Sequence, residues 1–329
     1  MKILVTGSAG HLGEALMRTL AGSEHNAVGC DVRASPYTRH VGSVADRAFA
    51  ARCMDGVDAV LHTATLHKPH IATHTRQDFV DTNITGTLNL LEEAVVGRVG
   101  SFVFTSTTSA YGHVLTPAPG APAAWITEAV VPRPKNIYGV TKLAAENLCE
   151  LMHALHGLPC LVLRTSRFFP EDDDSKRTRA DYFDANAKVN ELLNRRVDIE
   201  DAVGAHLCAL ERAPVLGFGR YIVSATTPFE AADLAALRHA AADVVARRVP
   251  AFRAEYQRRG WKMFDGIDRV YVNARARAEL HWQPRHDFAA VLERLRAGGD
   301  HRSALALEIG KKGDHPMPFL GDGPYPVAP

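Results

Sequence analysis

Tyr138 and Lys142 stand four residues apart, and the residues that follow, Leu143, Ala144, Ala145, Glu146 and Leu148, read as helix. On a helix this spacing puts both side chains on one face, one turn apart. A neighbouring ammonium favours the phenolate, so a phenol with an ordinary pKa of about 10 becomes a usable proton acceptor near neutrality. The pair offers acid-base chemistry; the plainer alternative is a partly buried Tyr beside a solvated Lys. A hydroxyl cluster, Thr105-Ser106-Thr107-Thr108-Ser109, follows the apolar run Phe102-Val103-Phe104. Such hydroxyls often only bind turn backbone, but one of them could hold a substrate oxygen while Tyr138 exchanges its proton.

These groups need elements to position them. Ile3-Leu4-Val5 reads as a buried strand, Thr6-Gly7-Ser8-Ala9-Gly10-His11-Leu12-Gly13 as a glycine turn, and Ala15, Leu16, Met17 and Leu20 as the face of a helix. In that order Gly7 permits the tight turn, Gly10 lets backbone approach a pyrophosphate, Gly13 allows helix to pack on strand, and the helix N-terminus favours an anion. Asn26 to Asp31 is a second strand ending in a carboxylate about 20 residues past the turn, where a group accepting from the adenosine ribose belongs. Asp31 favours NAD by repelling a 2′-phosphate. Arg33 could attract one, which keeps NADP as the lesser choice, and Asp31 could instead simply start a turn.

Val57 to His62 and Ser101 to Ser106 read as further buried strands, joined by a helical pattern through Phe79, Ile84, Leu88, Leu90, Leu91 and Val95. Strand, helix and strand in this order make a βαβ crossover, so the expected class is α/β, a Rossmann-like doubly wound parallel sheet whose ligand edge lies at the strand C-termini. Tyr221-Ile222-Val223 reads as a late strand, Ala231 to Arg247 as one helix, and Phe288, Val291, Leu292 and Leu295 as the face of another. The expected domains are 1–165 for the dinucleotide, 166–309 as a smaller substrate lobe interleaved with the last sheet elements, and 310–329 as an extended tail.

Charge balance narrows the partners. With 38 basic and 37 acidic residues among 329 there is no field to gather nucleic acid or an anionic membrane, so the expected partner is a small molecule. Five scattered cysteines without a Cys-x-x-Cys pair argue against a disulfide framework or zinc site. The first residues run straight into a strand, and no apolar run is long enough to span a bilayer; a cytoplasmic protein is expected. His62, His67, His70 and His74 crowd one segment without acidic partners, so no metal is expected there. His67 and Lys68 read as loop residues able to contact a polar or anionic substrate, and His62 as packing under the nicotinamide side.

Taken together, the glycine turn, His62-Thr63-Ala64, the Asn83 to Leu91 stretch, the hydroxyl cluster ending Tyr111-Gly112 and Tyr138-x-x-x-Lys142 resemble the extended short-chain dehydrogenase/reductase superfamily, in its NAD-dependent epimerase/dehydratase branch. The resemblance implies that Tyr138 is the catalytic acid or base, that Lys142 holds the nicotinamide ribose and lowers the tyrosine pKa, and that Thr107 is the hydroxyl partner. It implies cofactor contacts at Gly7, Gly10, His11, Leu12, Gly13, Asp31, Arg33, His62 and Ala64, and a homodimer formed through the helices around Leu88 to Val96 and Tyr138 to Leu155.

Departures from the pattern bear on substrate. Thr108 and Ser109 stand where dehydratases of the branch carry an acid pair, which disfavours 4,6-dehydratase activity. Arg167 stands where an asparagine is common, and a guanidinium can clamp a carboxylate or phosphate in two-pronged fashion. Glu171-Asp172-Asp173-Asp174 reads as a solvated loop neutralised by Lys176, Arg177 and Arg179, and is a poor cradle for a diphosphate. The expected activity is hydride transfer at a secondary alcohol of a sugar-like substrate, as an epimerase retaining NAD or as a sugar or sugar-acid dehydrogenase. His67, Lys68, Thr108 and Arg167 are the expected substrate contacts. A dinucleotide-sensing protein without turnover is the alternative from another class.

Overall fold

A computed structural model describes residues 1–312. Seven parallel strands form the main sheet: β1 (Lys2–Thr6), β2 (Asn26–Asp31), β3 (His40–Val41), β4 (Ala59–His62), β5 (Ser101–Thr107), β7 (Cys160–Thr165) and β8 (Phe218–Val223), in the order β3-β2-β1-β4-β5-β7-β8. A second, two-stranded parallel sheet pairs β6 (Ala124–Ile126) with β9 (Arg269–Tyr271). Central strands such as Ala59-Val60-Leu61-His62 are buried along their whole length, as a sheet covered on both faces requires. The order reverses between β1 and β4, the place where such sheets open a crevice at their C-terminal edge. This is the Rossmann-like, doubly wound class.

The first eight helices are α1 (His11–Ala21), α2 (Arg47–Met54), α3 (Arg76–Phe79), α4 (Gly86–Val96), α5 (Ile137–His156), α6 (Lys176–Asp181), α7 (Asp184–Glu191) and α8 (Ile199–Leu216). Leu12, Leu16 and Leu20 of α1 pack with Val203 and Leu210 of α8 on one face of the sheet, and Leu90 and Leu91 of α4 with Ala145 and Cys149 of α5 on the other. A separate cluster gathers Leu193, Leu237, Val244, Tyr256, Phe288 and Leu292 beside the small sheet.

Helix α5 is built to carry chemistry. Asn136 caps it, accepting from Gly139 N at 2.9 Å, and its buried residues Tyr138, Lys142, Ala145, Glu146, Cys149 and Met152 recur at helical spacing. Glu146 is fully buried. Its carboxylate accepts from Ser106 Oγ at 2.5 Å, from Arg164 Nη2 at 2.7 Å and from Arg220 Nε at 3.2 Å, while Arg164 Nη1 donates to the Tyr111 hydroxyl at 3.1 Å. One carboxylate thus ties α5 to β5, β7 and β8.

Two expectations are corrected here. The helix expected from Ala231 to Arg247 is broken: Leu234–Leu237 ends before Arg238, and a second helix, Ala241–Arg248, turns Val244 and Val245 into the cluster. Glu171 to Asp174 is not a solvated loop, because Glu171, Asp173 and Asp174 turn inward and only Asp172 stays exposed. The tail expected over 310–329 lies, from residue 313 onward, outside the described residues.

Candidate active site

The strand C-termini open into one cavity of about 700 Å³ that runs from the glycine turn past Tyr138 to Arg167. At its first end Gly7 has φ +72°, and a Cβ there would lie 2.8 Å from Ala64 N; a Cβ on Gly13 would lie 1.9 Å from Gly7 O. No other residue type fits this cradle without moving the backbone. Gly10 begins α1 without a side-chain cap, so the positive end of the helix faces the cavity. Asp31 closes β2, its carboxylate accepting from Ala9 N at 3.0 Å and Arg33 N at 2.8 Å. Arg33 Nη2 donates to the Ala9 carbonyl at 3.3 Å. These residues fit an adenosine diphosphate moiety: a glycine cradle for the phosphates and a carboxylate for the ribose hydroxyls.

In mid-cavity the Thr107 hydroxyl is close enough to Tyr138 to ease its ionisation, and its Oγ1 accepts from Ser109 N at 3.0 Å. Since Thr107 Oγ1 accepts that amide, its own hydrogen is left for the tyrosine or a substrate oxygen. Burial pushes the Tyr138 phenol up to about 12, and the Thr107 hydroxyl offsets part of that rise. The expected lowering by Lys142 is absent. Lys142 Nζ instead lies 4.0 Å from the centre of the Phe104 ring, and burial takes its pKa down to about 7. The two groups share a helix face, yet desolvation outweighs their attraction.

His62 packs under the site, as read from the sequence, but is absent from the lining in which a cofactor contact would stand. Thr87 Oγ1 donates to the Asn83 carbonyl at 2.7 Å, so it accepts from His62 Nε2 at 2.9 Å; His62 Nδ1 then accepts from Thr6 Oγ1 at 2.7 Å. That Thr6 oxygen in turn accepts from Thr63 N and Ala64 N, both at 3.1 Å. The imidazole is a neutral strut between β1, β4 and α4. Burial, with the Lys142 charge adding to it, depresses its pKa to about 3.

Gly7, Gly10, His11, Leu12, Gly13, Asp31, Arg33, Ala64, His67, Lys68, Thr107, Thr108, Tyr138 and Arg167 all line the cavity, whereas Lys142 and His62 lie behind its wall. His67 stacks on Phe169 at 5.3 Å, His70 meets His67 edge-on, and His74 meets His70. Arg167 differs from expectation, for it is already held by carboxylates of its own chain: Asp173 at 2.5 Å, Asp174 at 2.8 Å and Glu191 at 3.2 Å. Arg179 reaches this segment through the carbonyls of Asp173 and Asp174, and Arg177 pairs with Asp181.

Sequence reading gave no site role to Asn136, Ser166 or Arg195, and it used Asn83 and Asp174 only as members of longer stretches. Asn83 Oδ1 accepts from Leu66 N at 2.8 Å, and its Nδ2 donates to Thr141 Oγ1 at 3.0 Å, pinning the loop after β4 to α5. Only Asn136 left a signal, an Asn directly before a helical pattern.

Residues 3–217 match the NAD dependent epimerase/dehydratase family. The dTDP-glucose 4,6-dehydratase of Streptomyces niveus is 31% identical over 193 residues, covering 52% of this chain and 55% of that protein. The UDP-glucose 4-epimerase of Streptomyces lividans is 32% identical over 171 residues, covering 48% of this chain and 49% of that protein. The chain thus spans about half the length of these curated relatives. Among solved structures, a short-chain dehydrogenase/reductase superfamily protein from Agrobacterium tumefaciens with bound NAD is similar at a TM-score of 0.63 and 23% identity, covering 91% of this chain and 98% of that one. The UDP-glucuronic acid 4-epimerase from Bacillus cereus in complex with NAD follows at 0.60 and 20% identity, covering 89% and 96%. Those likenesses establish the shared fold, and the match across most of the sheet establishes that the chain belongs to the NAD dependent epimerase/dehydratase family.

Proposed function

We propose that this protein is a NAD-dependent oxidoreductase or epimerase acting at a secondary alcohol of a sugar-like substrate. The observation that carries the reading is that Tyr138 and Thr107 line the same cavity as the glycine cradle and Asp31. Bound NAD supplies the hydride acceptor. Tyr138 Oη takes the substrate hydroxyl proton, and the Thr107 hydroxyl holds the oxygen in line with it. Lys142, one turn along α5, is the cation placed to support the phenolate, and with bound cofactor it would hold the nicotinamide ribose. Asp31 supports NAD over NADP, since its carboxylate repels a 2′-phosphate. Thr108 and Ser109, lining the cavity without an acid pair, support hydride transfer without loss of water.

The exposed apolar stripe Val140, Leu151 and Leu155 on α5, with Val96 at the end of α4, supports a homodimer through these helices. Five unpaired cysteines, four of them buried, support a reducing, cytoplasmic setting. No described helix is long and apolar enough to cross a membrane.

Turnover with a panel of sugars, sugar acids and nucleotide sugars tests the reading. Accumulating NADH marks a dehydrogenase, and isomerised sugar without free NADH marks an epimerase. Tyr138→Phe is expected to lose at least about 10²-fold in turnover while still binding NAD, the scale typical of a removed acid-base group. If wild type and Tyr138→Phe are equally inert while both bind NAD, the protein is a dinucleotide sensor and the proposal falls.

A further inference from the structure

The end of the cavity away from the glycine cradle carries an unusual concentration of charge. Its origin is local: Arg167 N donates to the Arg195 carbonyl at 3.3 Å and Val197 N to the Arg167 carbonyl at 3.0 Å, a bridge that places Arg167, Arg195 and Arg196 side by side. Glu191 lies beneath them. It accepts from Arg195 Nη2 at 2.6 Å and Arg196 Nε at 2.8 Å, and although burial opposes its ionisation, Arg195, Arg196 and Arg167 hold its carboxyl well below the usual range. Asp173 pairs with Arg167 and Arg195, and Asp174, on the cavity wall, pairs with Arg167 and stands 3.7 Å from Lys68 Nζ.

The carboxylates are not equivalent. Glu191 is buried and bonded to three arginines, which fixes it as structure. Asp174 instead sits on the cavity wall, in a segment joined to the fold on its outer side by ion pairs such as Lys311 with Asp172 at 2.8 Å. Its partners, Arg167 Nη2 and Lys68 Nζ, line the cavity as well. Ser166, next to Arg167 in the chain, has a buried Oγ with no hydrogen-bond partner among the described residues, and it lines the same cavity. Parallel pairing of Thr107 with Thr165 puts Ser166 level with Thr108, one step beyond the Thr107 hydroxyl. A buried donor of this kind costs free energy unless a ligand bonds it.

We propose that Arg167, Lys68 and Ser166 form the anion subsite of the substrate, that Asp174 occupies it as an internal stand-in, and that the carboxylate of a small sugar acid displaces Asp174 on binding. This deepens the oxidoreductase reading and rests on its sugar-like substrate. Charge sets the ligand class. Among the described residues Asp174 pairs with both Arg167 and Lys68, so its displacement removes one negative charge from these cations and a single carboxylate restores it. A diphosphate would bring excess charge against Asp173 and the neighbouring Glu171 and Asp172. Exchange of one carboxylate for another conserves the charge-assisted hydrogen bonds of Arg167, and it frees Asp174 to enter water.

Calorimetry on the NAD-loaded protein tests this with D-glucuronate, D-glucose and UDP-glucose. Glucuronate is expected to bind at least about tenfold more tightly than glucose, a 1.4 kcal/mol difference. Asp174→Asn removes the internal competitor and is expected to tighten glucuronate about tenfold while leaving glucose unchanged; Lys68→Gln is expected to erase the preference. Equal binding of both sugars by wild type, an Asp174→Asn effect shared equally by both, or UDP-glucose as the tightest ligand would each overturn the subsite. Because the readout is binding, the two ideas separate. Glucuronate bound as described but never converted removes the oxidoreductase reading and leaves the subsite; turnover of sugars without a glucuronate preference does the reverse.

Discussion

At the residue scale, the proposed function assigns Tyr138 and Asp31 different halves of the chemistry. Asp31 already accepts from two backbone amides, so it is held in place before any ligand arrives. Asp31→Ala is therefore expected to weaken NAD by about 1–3 kcal/mol, the value of a charged hydrogen bond, and to weaken NADP less; titration of both dinucleotides checks this, and equal loss would remove the assignment. The glycine cradle, Asp31, Thr107 and Tyr138 were legible because each sits at a strand end or helix start, where spacing along the chain fixes position in space. Arg167 was legible as a cavity residue but not as a paired one. Its partner Glu191 lies 24 positions away, and nothing local ties the two until the bridge to Arg196 forms. The reach of Lys142 was misread for a related reason: helical spacing places it beside Tyr138, but the Phe104 ring that attracts its ammonium comes from β5.

At the element scale, α5 is held by charge and β4 by a neutral imidazole. Arg164→Met leaves the buried Glu146 carboxylate short of its main partner, and a loss of about 3–5 kcal/mol is expected on breaking one side of such a pair. Chemical denaturation reads this, and a loss below about 1 kcal/mol would mean that Arg220 alone suffices. The His62 strut gives a pH dependence. Its folded pKa of about 3 lies below the ordinary 6.5, so the folded state resists a proton that the unfolded chain accepts. Stability is thus intact above about pH 6.5 and falls as pH drops from there toward about 3, by up to roughly 5 kcal/mol at full protonation. His206, depressed to about 4 by burial, acts in the same direction over part of that window. His62→Gln is expected to flatten the fall between pH 6 and 4 in denaturation series; an unchanged slope would assign it to other groups. The strands were readable from their unbroken apolar runs, whereas the break at Arg238 was not, because alanines favour helix whether or not tertiary packing allows one to continue.

At the scale of the whole molecule, one exposed stripe and one closed seam matter most. Val140, Leu151 and Leu155 face away from the core, on the side of α5 opposite Tyr138 and Glu146. Light scattering is expected to show a dimer, and Leu151→Arg with Leu155→Glu a monomer; a wild-type monomer would leave the stripe without that role. The seam is formed by Lys311 with Asp172, Lys312 N with Glu171 at 3.2 Å, and the Lys312 ammonium with Glu14. It joins the start, middle and end of the chain around one cavity wall. During synthesis the main sheet is complete once β8 emerges at Val223, well before Lys311 leaves the ribosome. The dinucleotide half of the cavity therefore exists early on a nascent chain, and the lysines that fasten its acidic rim to residues 171, 172 and 14 arrive later. Ligand captured during translation would meet a finished cradle and an unfinished wall.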